Sequence, residues 1–211
     1  MRRFLFLFLQ ITIIGTSLAQ SDSLPVKIEK FKYGGRSGFY FTSYQNSFNY
    51  YGVATLTMNI HEFALGPSFG KSPGFYPFHN LEYDGGLKFN GIDFCYRILP
   101  NGKGKIFDFY FQLNYFQKWG KGIAHKSIWN FPNPNEYVYD NVRLKSNASQ
   151  LLLEYGFDIK FLKYFYVGNS IGIGGIIEFS EFTYETYSQF SYKETQMDLD
   201  FIYRTSVGFR F

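Results

Sequence analysis

Three residues of this chain have the types and spacing for acyl-transfer chemistry. His125 and Ser127 stand two apart in His125-Lys126-Ser127, and Glu136 follows eleven residues after the histidine. A serine hydroxyl is a weak nucleophile until an imidazole takes its proton, and a carboxylate that orients the imidazole completes the set. The remaining residues of this kind add nothing to that chemistry. His61 falls in a tight turn and His79 in a loop, neither with a second ligand at metal-binding spacing. No metal and no cofactor is expected. Gly172-Ile173-Gly174-Gly175 lies inside an alternating stretch with no helix after it, so it is not a nucleotide-binding turn. Its small residues are expected to make room for long side chains from neighbouring strands. Asn147-Ala148-Ser149 fits a glycosylation sequon, which matters only in a eukaryotic secretory setting. Cys95 is the single cysteine, so no disulfide can form within the chain, and a small buried residue is the reading for it.

A His-x-Ser pair with a later Glu is similar to the outer-membrane lipid A deacylases, small barrels in which a serine nucleophile works at the lipid interface. The resemblance covers three positions and implies Ser127 as nucleophile, His125 as base and Glu136 as its orienting carboxylate. The sequence departs from that family's pattern, because Ile128 stands where an Asn is expected directly after the serine, and two more hairpins' worth of strand follow. Ser146-Asn147-Ala148 has the Ser-Asn step but is preceded by Leu144 and Lys145, with no histidine. A polar loop without catalysis is the preferred reading, and the interfacial esterase is the alternative.

The elements that would position such groups begin after residue 19. Met1–Ala19 opens with Arg2 and Arg3, runs through an apolar Phe4–Ile14 and ends Ser17-Leu18-Ala19, which reads as a signal peptide for general export. No cysteine follows it to be acylated. Residues 20–211 then form one expected domain. Setting aside Arg2 and Arg3, 19 basic residues face 17 acidic ones, a formal +2. That balance argues for no nucleic acid and no strongly charged partner. Aromatic residues make up 23% of the chain, with 27 Phe and 19 Tyr, yet the mean hydropathy is only −0.19. Many aromatics in a chain that is polar on average imply two-faced elements.

The last stretch shows this most clearly. From Asp198 to Phe211, Phe201, Tyr203, Thr205, Val207, Phe209 and Phe211 share one face of a strand, and Ile202, Arg204, Ser206, Gly208 and Arg210 the other. About 13 residues at about 3.3 Å each, tilted by about 40°, rise about 30 Å, enough to cross an apolar band of about 25 Å. The same alternation predicts seven earlier strands, about 31–43, 50–60, 63–70, 87–99, 105–119, 151–161 and 165–179. Pro67 weakens the third of these. Short turns are expected at 59–62, 100–104 and 162–164, and longer loops at 72–82, 120–147 and 180–197, the second of these with strand extensions near Tyr137–Lys145 as an alternative. After the leader no apolar run approaches the length of a membrane helix.

Eight alternating strands, short turns opposite long loops and a terminal aromatic resemble the small OmpA/OmpX-type barrels of the outer membrane. The resemblance implies an all-β fold: a closed antiparallel up-and-down transmembrane β-barrel in the outer membrane of a Gram-negative cell, surrounded by outer-membrane lipid. Both chain ends and the short turns would face the periplasm. Arg36, Asp93, Arg97, Asp108, Glu154, Asp158, Lys160, Glu178, Arg204 and Arg210 would then point into a narrow interior and neutralise one another there. A structural or surface-binding protein with a plugged lumen is expected, its outer loops open to a protein or glycan partner, and a narrow channel is a further alternative. The aromatic runs Phe75-Tyr76-Pro77-Phe78 and Phe182–Tyr192 are read first as an interfacial girdle.

Overall fold

The computed structural model describes residues 31–44, 46–72, 75–76, 81–83, 87–100, 106–129, 137–185 and 191–211. The expected leader 1–19 lies outside them. Among the described residues there are ten strands: β1 Lys32–Thr42, β2 Ser47–Met58, β3 His61–Ser72, β4 Phe75–Tyr76, β5 Leu81–Tyr83, β6 Leu87–Ile98, β7 Phe107–Trp129, β8 Tyr137–Lys160, β9 Phe165–Tyr184 and β10 Ser191–Arg210. Each long strand is antiparallel to its neighbours, and the ladder closes on itself. β1 pairs with β2 on one side and with β10 on the other, from Gly34 opposite Arg210 to Thr42 opposite Ile202. The ring runs β1-β2-β3-β6-β7-β8-β9-β10, the expected all-β barrel of eight strands.

Each wall strand alternates because its two faces meet different surroundings. In the half nearer the chain ends, Phe63, Leu65, Phe109, Phe111, Leu153, Ile171, Phe201 and Tyr203 are exposed on the outside. Their neighbours Glu62, Arg97, Asp108, Glu154 and Arg204 are buried inside. An apolar wall with ionised residues within is the reverse of a soluble barrel.

Two of the expected loops are strand over much of their length, and in the first the strand extension allowed near Tyr137–Lys145 is present as the start of β8. β7 runs ten residues past Trp119, and β8 begins at Tyr137, so much of 120–147 is paired backbone; 130–136 lie outside the described residues. Likewise, β9 continues to Tyr184 and β10 starts at Ser191, within the 180–197 stretch. The physical reason is a change of sign in the pattern. Here Val142, Leu144 and Phe182 are buried inside while Arg143, Lys145 and Lys193 are exposed outside. The strands have left the apolar surroundings, and the barrel becomes an ordinary soluble one, greasy within. The 72–82 loop also carries structure, since β4 pairs with β5 and β5 adds to β7, Glu82 opposite His125.

Pro67 does sit in a wall strand. Pairing of β2 with β3 runs from Phe48 opposite Lys71 to Tyr51 opposite Ser68 and resumes at Ala54 opposite Leu65, so Gly52 and Val53 drop out beside the proline. A proline has no N–H to give, and the ladder is interrupted there. The turns at the ends of β1 and β2 use Asn46 and Asn59 at φ 44° and 53°, left-handed positions that asparagine tolerates.

Small residues inside the barrel make room for large ones. A Cβ on Gly172 would lie 2.5 Å from Glu154 Cγ, as the sequence leads one to expect, while Gly175 meets nothing closer than 4.0 Å. A Cβ on Gly208 would enter the ring of the buried Tyr166. Gly208→Ala should therefore destabilise the folded barrel by about 1–3 kcal/mol through overpacking, and Tyr166→Leu in the same chain should recover part of it. Urea unfolding of the four corners of that double-mutant cycle in detergent measures both terms; additive losses would show that the two residues do not compete for space.

Candidate functional site

The interior of the barrel holds most of the reactive side chains, in tiers. Nearest the short turns, the first inward residue of β3 is Glu62, whose carboxylate collects three guanidiniums. Arg210 Nε donates to it at 2.8 Å, Arg36 Nη1 at 3.3 Å, and Arg97 Nη1 lies 3.6 Å away. Arg97 and Arg210 also donate to Asp158 Oδ2, at 3.0 and 2.8 Å, which ties β6 and β10 to β8. Lys160 reaches Asp108 at the rim. Rings cover the guanidinium faces: Arg97 lies 3.5 Å over Tyr110 and Arg210 4.3 Å over Tyr166. Charges removed from water are tolerable only when paired, and every charge of this tier has an opposite charge beside it, although Arg36 Nε, Arg97 Nη2, Arg210 Nη1 and Asp158 Oδ1 make no hydrogen bond among the described residues.

The next tier centres on Glu154. It accepts from Arg204 Nη2 at 3.1 Å, Ser170 Oγ at 2.6 Å, Gln112 Nε2 at 3.3 Å and Asn114 Nδ2. Arg204 lies 4.7 Å over Tyr51 and 5.1 Å over Tyr40, within an apolar group that includes Phe116, Leu152 and Ile202. Above it, Asp200 accepts from the Tyr44 backbone N–H at 2.8 Å, Ser43 Oγ at 3.0 Å and Gln150 Nε2. Glu178 accepts from Ser146 and Ser180, and Lys118 lies 5.1 Å over the Tyr40 ring. The last tier is apolar. Leu87, Phe89, Val142, Leu144 and Phe182 form a buried cluster with Tyr184 and Tyr192 against it, and Phe182 stacks on Tyr192 at 4.5 Å between centroids.

Nine of the ten charges expected in the lumen are buried there: Arg36, Asp93, Arg97, Asp108, Glu154, Asp158, Glu178, Arg204 and Arg210. The tenth, Lys160, is partly exposed at the rim, its side chain 23% accessible. Sequence reasoning missed Glu62, expected in a turn, as well as Lys118 and Asp200. Glu62 is the hub of the first tier, because the turn is only Asn59-Ile60 and β3 starts at His61. The signal was present: Glu62, Ala64, Ser68 and Ser72 are the small and polar face of that strand.

His125 and Ser127 lie in β7, opposite Asn141 and Tyr139 of β8, in strand rather than loop. Glu136 and His79 lie outside the described residues. His61 pairs with Tyr96, Nδ1 2.7 Å from the phenol oxygen. Among the described residues no group of three metal-ligating side chains comes together. Cys95 is buried, 3.4 Å from Arg36 Nη2.

No family model matches the sequence, and no curated protein matches it. Among solved structures, the barrel is similar to a major outer membrane protein from Thermus thermophilus, with a TM-score of 0.52 and 12% identity over 87% of this chain and 100% of that one. It also matches Neisserial surface protein A, with a TM-score of 0.43 and 9% identity over 85% and 95% of the two chains. The N-terminal β-barrel domain of Pseudomonas aeruginosa OprF matches with a TM-score of 0.40 and 14% identity over 85% and 97%. The first of these carries the comparison: the chain has the fold of an outer-membrane β-barrel.

Removing the hub should be costly. Glu62→Gln leaves Arg36, Arg97 and Arg210 facing one another without their shared counter-charge, and the expected loss is about 3–5 kcal/mol in urea unfolding of the detergent-folded chain. Lys193→Gln, which removes an exposed partner 3.9 Å from Glu181, should change stability by no more than about 0.5 kcal/mol. Equal effects from the two substitutions would mean that the lumen charges are not mutually dependent.

Proposed function

We propose that this outer-membrane β-barrel protein is a plugged barrel of the Gram-negative outer membrane, with a structural or surface-binding role and no transport or catalytic task. The observation that carries this reading is the filling of the lumen. Arg97, Arg204, Tyr40, Tyr110, Tyr166, Phe116 and Lys118 are among its largest buried side chains, each below 2% exposure. Eight strands leave an interior just wide enough for side chains, and here the charged tiers are capped by an apolar one. Ions crossing would have to part Arg97 and Arg210 from Asp158 and then pass Leu87, Leu144 and Phe182. In this reading the short turns and both described chain ends face the periplasm, and the longer ends of β7–β10 stand above the outer leaflet, where a protein or glycan could be bound.

The apolar wall supports insertion. Phe39, Leu65, Phe111, Leu153, Ile171, Phe201 and Val207 are each at least 45% exposed, a surface unsuited to water. The reconstituted full chain should insert into planar bilayers without conductance steps. A steady unitary conductance abolished by no change of loop would instead establish the channel.

The esterase alternative rests on Ser127, His125 and Glu136. In the reading preferred here, Ser127→Ala leaves the acylation pattern of lipid A unchanged in cells expressing the protein, as read by mass spectrometry. Loss of a deacylated species in that variant alone would replace the structural role with hydrolysis.

A further inference from the structure

Register places lysines side by side on four consecutive strands. Lys71 of β3 is directly opposite Lys88 of β6, Lys88 is opposite Lys121 of β7, and Lys121 is opposite Lys145 of β8. The row continues to Glu181 of β9, opposite Lys145, and to Lys193 of β10, opposite Glu181. All five lysines are exposed on the outer face. Glu181 lies 3.9 Å from both Lys145 and Lys193, and its one charge is shared between them. Lys71, Lys88 and Lys121 have no ion-pair partner among the described residues. Like charges directly opposite across a ladder destabilise it, with side chains only about 5 Å apart. Three such pairs in succession favour an anion seated between them.

The position of the row says which anion. Lys71 is ten residues along β3 from His61, and Lys145 is fifteen along β8 from Lys160. At a rise of about 2.5 Å per residue along the axis, the row starts at about 25 Å above the short turns, the upper edge of an apolar band of about 25 Å, and climbs outward from it to about 38 Å. The next outward row on the turn side is Tyr50, Phe69, Asn90, Trp119, Asn147 and Phe179, the aromatic and amide composition of a membrane interface. Under Lys121 and Lys145, Gln117 accepts from Tyr115 and Ser149 hydroxyls, each at 2.8 Å, so polar groups continue a little way into the outer wall. On the inside, this is also where the lining turns from charged to apolar.

We infer that this row is a binding strip for the phosphate groups of lipid headgroups in the leaflet around the long-strand end. A phosphate seated between two neighbouring ammonium groups takes hydrogen bonds from both and cancels their repulsion, while the acyl chains lie along the apolar wall below. The inference rests on the proposed membrane orientation, and Trp119, one row below Lys121, allows the two to be tested separately.

The test uses the full chain carrying Trp129→Phe, which leaves Trp119 as its one tryptophan, refolded into vesicles with chain-brominated phosphatidic acid or chain-brominated phosphatidylcholine. Brominated chains quench only a nearby indole. Phosphatidic acid is expected to compete for the quenching position about tenfold better than phosphatidylcholine, and the preference should fall to near parity in Lys71→Gln/Lys88→Gln/Lys121→Gln. Inorganic phosphate in the buffer should leave the preference in place. Equal quenching by the two lipids in the parent chain, or a preference that survives the triple substitution, would overturn the strip while leaving the barrel in the membrane. A preference abolished by inorganic phosphate would assign the site to the free anion instead. Absence of quenching by either lipid would overturn the membrane orientation itself.

Discussion

A sheet surrounded by hydrocarbon cannot have an edge, and the pairing of β1 with β10 removes the last one. Every unpaired N–H or C=O in lipid costs several kcal/mol, so closure is the condition on which all other features depend. Here it is met with eight strands, which set the bore, and the bore fixes how many side chains must fit inside. Gly34, Gly38 and Gly208 lie along that closing pair of strands. A side chain at Gly34 or Gly38 would collide with the backbone of β10, which ties this composition directly to the approach of the two strands.

What fills the bore is then decided by chemistry rather than by size alone. The wall needs its apolar residues outside, so alternation sends the polar ones inward, where each must find a partner. Glu62 and Asp158 answer for Arg36, Arg97 and Arg210; Glu154 answers for Arg204. Aromatic faces of Tyr110, Tyr166 and Tyr51 cover the guanidiniums that these carboxylates hold. Such a core is weak evidence of high stability, since an apolar core of the same volume does as well or better. Its effect is on specificity: a slip of one residue in register would turn Arg97 or Arg204 into lipid.

Much of this was legible in the sequence, because within the apolar zone the pattern has one sign. Phe107, Phe109, Phe111 and Leu113 against Asp108, Tyr110, Gln112 and Asn114 leave one reading of β7, and the eight strands and nine of the buried charges follow from such runs. Beyond Trp119 the pattern persists with its sign reversed. Lys121 and Ile123 share the outer face there, and a search for a greasy outer face finds no period. Glu62 was hidden for another reason: a two-residue turn leaves no room for a polar punctuation, so the first lumen residue of β3 reads as part of the turn. The partners of the Lys71 row were not legible at all, because adjacency across strands depends on a register that only the folded ladder sets.

The interruption beside Pro67 has a consequence for how the wall deforms. Elsewhere, adjacent wall strands are stitched without a gap through the apolar zone, but β2 and β3 are joined there by two separate stretches with Gly52 and Val53 unpaired between them. Resistance to shear along that junction is correspondingly lower, and a cylinder squeezed by fluctuating bilayer thickness yields first where its stitching is sparsest. The cross-section should thus breathe anisotropically, flattening along the line through Pro67 while the opposite side, from β7 to β10, keeps its curvature.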